Sequence, residues 1–422
     1  MLQAIGLPFL SKPESSIKLC PAAMHAPLIA AGIWLSAIAA DWPQFRGPGG
    51  QGHSDEMDLP VVWSDSENVA WRTAIPGRGW SSPVIAGGRI WLTTATEEDR
   101  SLRALRLNAA DGCLEREVEV FRLEAAPRVH PKNTPASPTA ILDGDRVYVH
   151  FGKLGTACLS SEGEVLWTRN DLEFEHGHGP GGSPVLYRDL LIFNCDGTDR
   201  QFVAALEKDT GEVRWLSPRV GAMAYSTPLL IEVGGEPQLV SPCGERVVAY
   251  DPGEGREIWS YRYPGGYSVV VRPVFGQGLV FVSSGYDTAV LHAIRPEGRG
   301  DVTATHRAWK LERGAPLNPS PLLVGSDLYV LSDGGALSCV DAGSGEVRWR
   351  HRLPGDYSAS PVAAAGRIYF LNEEGLATVL EPGEEYRELA VNQVEGRTLA
   401  SLAIADGAIY LRTESHLIRI GK

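Results

Sequence analysis

Two imidazoles one residue apart, His176-Gly177-His178, stand close behind Glu173 and Glu175. Two histidines at i, i+2 on a glycine-rich loop can turn toward one ion, but a site of the zinc type needs a third protein ligand. Asp196-Gly197-Thr198-Asp199 groups hard oxygens that would suit Ca²⁺. An Asp-Gly turn accounts for the same residues with less, and Asp287 and Asp333 read likewise as turn residues. No metal site is therefore expected. The chain has no Gly-x-Ser-x-Gly elbow, HExxH helix or phosphate-binding loop. Nor does a pair of facing carboxyl groups, which glycosidic hydrolysis normally needs, stand out among its loops. No catalytic residue is expected.

What remains is binding chemistry. Arg78, Trp80, Asn133, Thr134, His176, His178, Tyr225, Tyr267, Arg272, Asn318, Tyr357 and Arg397 mix aromatic, amide and cationic groups suited to a polar, anionic or glycan-like ligand, or to a protein interface. Each stands at or just ahead of one recurring phrase: a small residue, Ser or Thr, Pro, then an aliphatic. The copies are Ser81-Ser82-Pro83-Val84, Ala136-Ser137-Pro138-Thr139, Gly182-Ser183-Pro184-Val185, Ser226-Thr227-Pro228-Leu229, Val271-Arg272-Pro273-Val274, Pro319-Ser320-Pro321-Leu322, Ala359-Ser360-Pro361-Val362 and Ala400-Ser401-Leu402-Ala403.

Eight copies at steady intervals mean a repeat architecture. A second phrase follows, Ala-x-Asp-x(3)-Gly-x(3)-Trp, complete at Ala249, Asp251, Gly255 and Trp259. Trp167, Trp215 and Trp349 end closely related copies, Trp309 arrives after an insertion, and Arg116 and Tyr386 stand where tryptophan is expected. Between the phrases lie short β-type runs joined by Gly-Ser, Asp-Gly-Gly and Asp-Ala-Gly-Ser-Gly, which are hairpin connections. The second runs, such as Leu190–Phe193 and Leu279–Val282, are apolar throughout and need cover on both faces. A lone four-stranded sheet cannot provide it; sheets packed around an axis can. The expected fold is all-β: an eight-bladed β-propeller of four-stranded antiparallel blades. The last repeat ends without its outer strand, and an extra run containing Trp71, Glu67–Ile75, precedes the first. The N-terminal run should therefore complete the last blade and leave no open seam.

The second phrase resembles the tryptophan-docking motif of quinoprotein-type, PQQ-like propellers. These include the pyrroloquinoline quinone (PQQ) dehydrogenases and the non-catalytic, BamB-like branch that serves outer-membrane assembly. Trp42-Pro43-Gln44-Phe45-Arg46-Gly47-Pro48 resembles the start of secreted members of this group. The resemblance assigns Trp71, Trp167, Trp215, Trp259, Trp309 and Trp349 to blade docking. It implies a non-enzymatic scaffold, with a PQQ- and Ca²⁺-dependent oxidoreductase or a glycan-binding propeller as alternatives. The vicinal cysteine pair of the alcohol dehydrogenases has no counterpart, so no cofactor is expected.

Strand parity puts the site on one face. In an antiparallel blade the loops leading into first strands and those joining second to third strands share a face, and the lead-in loops are the longer and more varied. On that face the listed residues should ring the channel mouth. The plainer alternative is that Tyr225, Tyr267 and Tyr357 merely cap the channel while the arginines pair with acidic neighbours. Cys158 and Cys339 take repeat positions held elsewhere by Ala205 and Ala249, as small buried hydrophobes would.

A net charge of −13 provides no basic face for nucleic acid. Residues Leu28–Ala40 form an apolar run too short to span a membrane comfortably. With Ala37-Ile38-Ala39 it reads as a signal peptide over residues 1–40, starting at Met1 or Met24. Residues 41–422 should then form one propeller, monomeric and periplasmic or secreted, with envelope or extracellular proteins or a polar ligand as partners.

Overall fold

The computed structural model describes residues 41–287 and 289–421; the expected signal peptide lies outside them. Among the described residues the strands form eight antiparallel sheets, and the only helical elements are two single 3₁₀ turns, Pro48–Gly50 and Gly152–Leu154. Blade 1 runs through Val84–Ala86, Arg89–Thr96, Ser101–Asn108 and Leu114–Arg122. Blades 2 to 7 repeat this order with first strands Ile141–Asp143, Val185–Tyr187, Leu229–Val233, Val274–Gly276, Leu322–Val324 and Val362–Ala364. Blade 8 consists of Ala403–Ala405, Ala408–Arg412 and His416–Gly421, with Val69–Ala74 as its outer strand. That last strand pairs antiparallel with His416–Gly421, from Val69 opposite Ile420 to Ala74 opposite His416.

Second and third strands are almost entirely buried, while the outer strands alternate. In Val347–Arg352 the residues Val347 and Trp349 are partly covered and Arg348 and Arg350 face water. This is the pattern of an edge strand with one face on a neighbouring blade. Tryptophans that end the second phrase sit directly across the strand from its small residue: Cys158 opposite Trp167, Ala205 opposite Trp215, Ala249 opposite Trp259 and Cys339 opposite Trp349. A one-residue bulge follows each pair. The small partner leaves room for the indole to lean onto the next blade. Trp71, Trp167, Trp309 and Trp349 donate from Nε1 to carbonyls of the following blade, at Ala109, Lys208, Ala342 and Gly383 (2.9–3.1 Å). Trp215 packs on Gly255 of the next blade without a partner for its N–H.

Three details differ from the sequence reading. In blade 7 the residue opposite the small position is Ala390, not Tyr386; the longer turn before it moves Tyr386 outward to stack on His351. In blade 2 the anchor is Thr139 rather than Ser137, because Ser137 turns back to hydrogen-bond Asn133 and Thr134. Third, the insertion before Trp309 places Gly300–Asp301 as a fifth, parallel strand on Glu257–Arg262 of blade 4. This strand covers Trp259, whose Nε1 donates to Gln238 Oε1 within its own blade (2.8 Å).

The segment ahead of Val69 crosses the channel at the end opposite the lead-in loops. Trp42 bridges to Ile85 of blade 1, and Pro43 accepts from Leu142 of blade 2. The chain then reaches blades 5, 6 and 7: Gln51 Oε1 accepts from Phe275 N (2.7 Å), Arg46 Nη2 donates to Pro321 O (2.8 Å), and Gly52 O accepts from Ala363 N (2.7 Å). Four of these contacts fall at the middle residue of a three-residue first strand, and Arg46 reaches the residue just before one. The segment also meets the turns that leave these strands, where Gly87 N donates to Asp41 Oδ1 (3.3 Å) and Ala365 N to Glu56 O (3.0 Å). The N-terminal segment is thus a plug.

Candidate functional site

A cavity of about 410 Å³ opens on the lead-in face and runs down the axis to Phe45 of the plug. Its lower wall is a belt of anchor residues, one per blade: Ser82, Thr139, Ser183, Thr227, Ser320, Ser360 and Ser401. The belt follows from blade geometry. Each first strand begins two residues after its anchor, so the anchor side chain lies where neighbouring first strands converge. There the hydroxyls of Thr139, Ser183, Thr227, Ser360 and Ser401 each accept from the backbone N–H of the preceding anchor, donated by Ser82, Thr139, Ser183, Ser320 and Ser360 in turn, all at 2.9–3.0 Å. These bonds satisfy amide donors that have no ladder partner at the axis.

Arg272 fills the eighth anchor position. Its amide donates to Ser320 Oγ (3.0 Å), as elsewhere in the belt, but its guanidinium turns away under the floor and donates to Phe45 O (2.6 Å). Burial lowers its pKa to about 9, and it does the same to Arg46 of the plug, where the charge of Arg272 adds to the effect.

Trp80, Asn133, His178, Tyr225, Tyr267 and Asn318 line the upper wall, so six of the twelve expected residues share one cavity. The Tyr225 hydroxyl accepts from His178 N (3.0 Å), and Asn318 Nδ2 donates to the Tyr286 hydroxyl (3.3 Å). Asn133 ties the blade 2 loop to the blade 3 loop through the carbonyls of His178 and Pro180 (2.8 and 2.9 Å). Asp333 holds the blade 6 loop by accepting from Leu317 N and from the backbone and side chain of Asn318.

The other six lie elsewhere. Arg78 is paired with Asp99, and Arg397 stands 3.9 Å from Glu373. Tyr357 is fully buried against blade 6, Thr134 is buried behind the wall, and Arg272 lies under the floor. His176 points into a neighbouring cleft against Phe174, while His178 faces His130 across 5.5 Å, so the two imidazoles diverge. Burial lowers the pKa of His176 to about 4; burial, with the charges of His130 and Arg128, also lowers that of His178. Asp196 is bound to Arg219 by two hydrogen bonds inside the fold, and Asp199 accepts from Glu175 N (2.7 Å).

Several wall residues went unread in the sequence. Lys132, from the loop before blade 2, reaches across the mouth to Glu373 of blade 7 (2.7 Å), which also accepts from Ser358 Oγ (2.6 Å). His130, Tyr286, Ser358 and Phe45 also line the cavity, and Leu399, from the loop before blade 8, is part of its wall. The repeat phrase marks where loops end and says nothing of how far they reach. The only available signal was Arg272, a long cation in a series of small hydroxyls.

The family profile described as "Outer membrane protein assembly factor BamB" matches residues 56–173, 128–305 and 298–415. The chain belongs to this PQQ-like, BamB-type propeller family. Among solved structures this PQQ-like propeller is similar to BamB from Moraxella catarrhalis, at 13% identity and a TM-score of 0.58 over 84% of this chain and 98% of that one. It is similar also to the quinohemoprotein alcohol dehydrogenase of Comamonas testosteroni (11%, TM-score 0.64, 91% and 81% covered) and to alcohol dehydrogenase ADHIIG of Pseudomonas putida HK5 (10%, TM-score 0.61, 90% and 80%). At these identities the likeness is one of fold. No curated protein matches the chain in sequence.

The fold family implies PQQ held with Ca²⁺, and the residues do not fit that pair. Among the described residues no three His, Cys, Asp or Glu side chains are grouped to hold a metal ion. PQQ spreads three carboxylates around a flat ring system. The only lysine or arginine in the lining is Lys132, whose ammonium already meets Glu373. The belt converges on one axial point rather than on three corners.

Proposed function

We propose that this PQQ-like propeller is a non-enzymatic binding protein of the periplasm or cell exterior, a scaffold of the BamB kind that seats one polar element of a partner in its axial funnel. The observation that carries the reading is the funnel itself: it is blind, open on the face with the longest loops, and walled by aromatic rings and hydroxyls. A site of this shape, apolar over much of its lining with a few converging polar groups, is built to bind. The family description supports an envelope assembly role. Among the described residues no helix is long and apolar enough to cross a membrane.

The test is affinity capture from an envelope fraction with the full chain, its Leu399→Trp variant, which fills the mouth, and Asp145→Trp on the opposite face. A recurrent partner lost only with Leu399→Trp is expected. No recurrent partner, or one indifferent to Leu399→Trp, would end this reading. Dye reduction after reconstitution with PQQ and Ca²⁺ would instead establish the oxidoreductase alternative.

A further inference from the structure

The belt hydroxyls carry a donor each that the fold does not use. Thr139, Ser183, Thr227, Ser320, Ser360 and Ser401 each accept one backbone N–H, from the anchor of the blade before. None donates to a protein acceptor among the described residues, and all are at least 95% buried. A hydroxyl has one O–H and two lone pairs. With one lone pair committed to the amide beside it, the O–H must find an acceptor, and the open direction is the cavity that all six line. Six donors from six blades therefore converge on one axial region. A buried donor left without an acceptor is costly, so an acceptor-rich occupant is strongly favoured over an apolar one.

The floor adds charge of the matching sign. Arg272 and Arg46 are buried beside Phe45 and form no ion pair among the described residues; Arg272 Cζ is 6.0 Å from the Phe45 ring centre. Arg46 Nε and Nη1 and Arg272 Nε have no protein partner. Two unneutralised guanidinium groups in a poorly screened interior raise the potential at the base of the funnel, although the chain as a whole carries −13. At the rim Lys132 offsets Glu373.

We propose that the base of the funnel binds a compact oxyanion, a carboxylate or a phosphate, on the propeller axis, held by the ring of anchor O–H groups over the buried Arg46–Arg272 pair. This deepens the reading above and rests on it only in taking the funnel as the binding face. The anion could belong to an acidic element of a partner or be a free small ion, and the two sources share this chemistry.

Isothermal titration of the full chain with acetate, inorganic phosphate and a penta-glutamate peptide, each balanced against chloride at fixed ionic strength, tests the proposal. Saturable one-site binding of acetate or phosphate is expected, weakened about tenfold by Thr227→Val or Ser360→Ala, since a hydrogen bond to a charged group carries roughly that much. Peptide binding at least tenfold tighter than acetate would assign the site to a partner's acidic element; equal or weaker binding would assign it to a free ion. Should the belt variants fail to fold, Lys132→Met is expected to weaken binding severalfold and reduce its salt dependence. An identical weak response to all salts, or unchanged affinity in every variant that folds, would overturn the proposal. Partner capture that persists without any anion binding would refute the axial site and leave the binding scaffold standing; anion binding without a partner would do the reverse.

Discussion

The indole of Trp71, from the outer strand of blade 8, packs so closely on Gly112 in blade 1 that a Cβ at residue 112 would stand 2.6 Å from the ring carbons. The same seam carries Trp71 Nε1 to Ala109 O (3.0 Å) and Thr73 Oγ1 to Gly112 O (2.7 Å). Docking of one blade on the next is thus also what joins the two ends of the chain. Gly163 occupies the equivalent turn of blade 2, but the preceding blade offers it Arg116 and Val118 instead of tryptophan, with Val118 at 3.1 Å.

Both glycines have positive φ, 71° and 89°, so alanine is strained at either, by about 1–2 kcal/mol. Only Gly112→Ala also drives a methyl into an indole, which adds about 1–3 kcal/mol of overpacking. Urea unfolding should show Gly112→Ala losing clearly more than Gly163→Ala. Equal losses would mean that the indole yields freely and that seam packing is loose.

Trp215 and Trp259 provide a second comparison. Trp215 Nε1 is buried without a partner, whereas Trp259 Nε1 donates to Gln238 under the cover of Gly300–Asp301. Trp259→Phe leaves Gln238 Oε1 unmet and should cost about 1–2 kcal/mol more than Trp215→Phe. A smaller cost at Trp259 would mean that the parallel strand, not the hydrogen bond, secures it.

The architecture was legible because it repeats: Ser/Thr-Pro anchors, Gly turns and alternating outer strands each restate one blade, and eight restatements leave little choice of fold. The face on which the cavity opens followed from strand parity. The wall did not follow, because it depends on how loops of unequal length travel. Lys132 reaches blade 7 and Tyr357 turns into the core, yet both precede an anchor by a few residues. Ser137-Pro138 imitated an anchor that the chain places two residues later, at Thr139. The plug lies outside the repeat altogether, so neither Phe45 as a floor nor Arg46 as a buried charge had a periodic signal.

Cys158 and Cys339 should be inert in the folded protein. Each lies across the strand from a docking tryptophan, and burial pushes their thiols up to about 11 and about 12. The thiolate is the reactive form, and at pH 8 it is scarce at both sites. Iodoacetamide followed by peptide mass mapping should find both unmodified in native buffer and alkylated in denaturant. Native-state alkylation at pH 8 would show that the blade cores open more readily than their burial implies.

Acid should destabilise the propeller through two buried histidines. His150 packs on Phe193 with its Nδ1 at 2.8 Å from Thr156 Oγ1, and burial, with the nearby His176, lowers its pKa to about 3. His292 stacks on Tyr263 with Nδ1 at 3.1 Å from the Tyr261 hydroxyl; burial, aided by Arg307 and Lys310, lowers it to about 4. An unfolded chain protonates both rings below pH ~6.5, while the folded chain holds His150 neutral until near pH 3 and His292 until near pH 4. Their contribution is therefore complete above pH ~6.5 and is lost as pH falls toward the folded values, by about 2 kcal/mol for each ring at pH 5. Urea midpoints measured from pH 7.5 to 5 should fall steadily in the wild type, before most carboxylates titrate. His150→Gln and His292→Gln should each start less stable at pH 7.5 and fall less steeply. A variant slope as steep as the wild type's would show that the rings are protonated inside the fold, and that the cores around Phe193 and Tyr263 admit water.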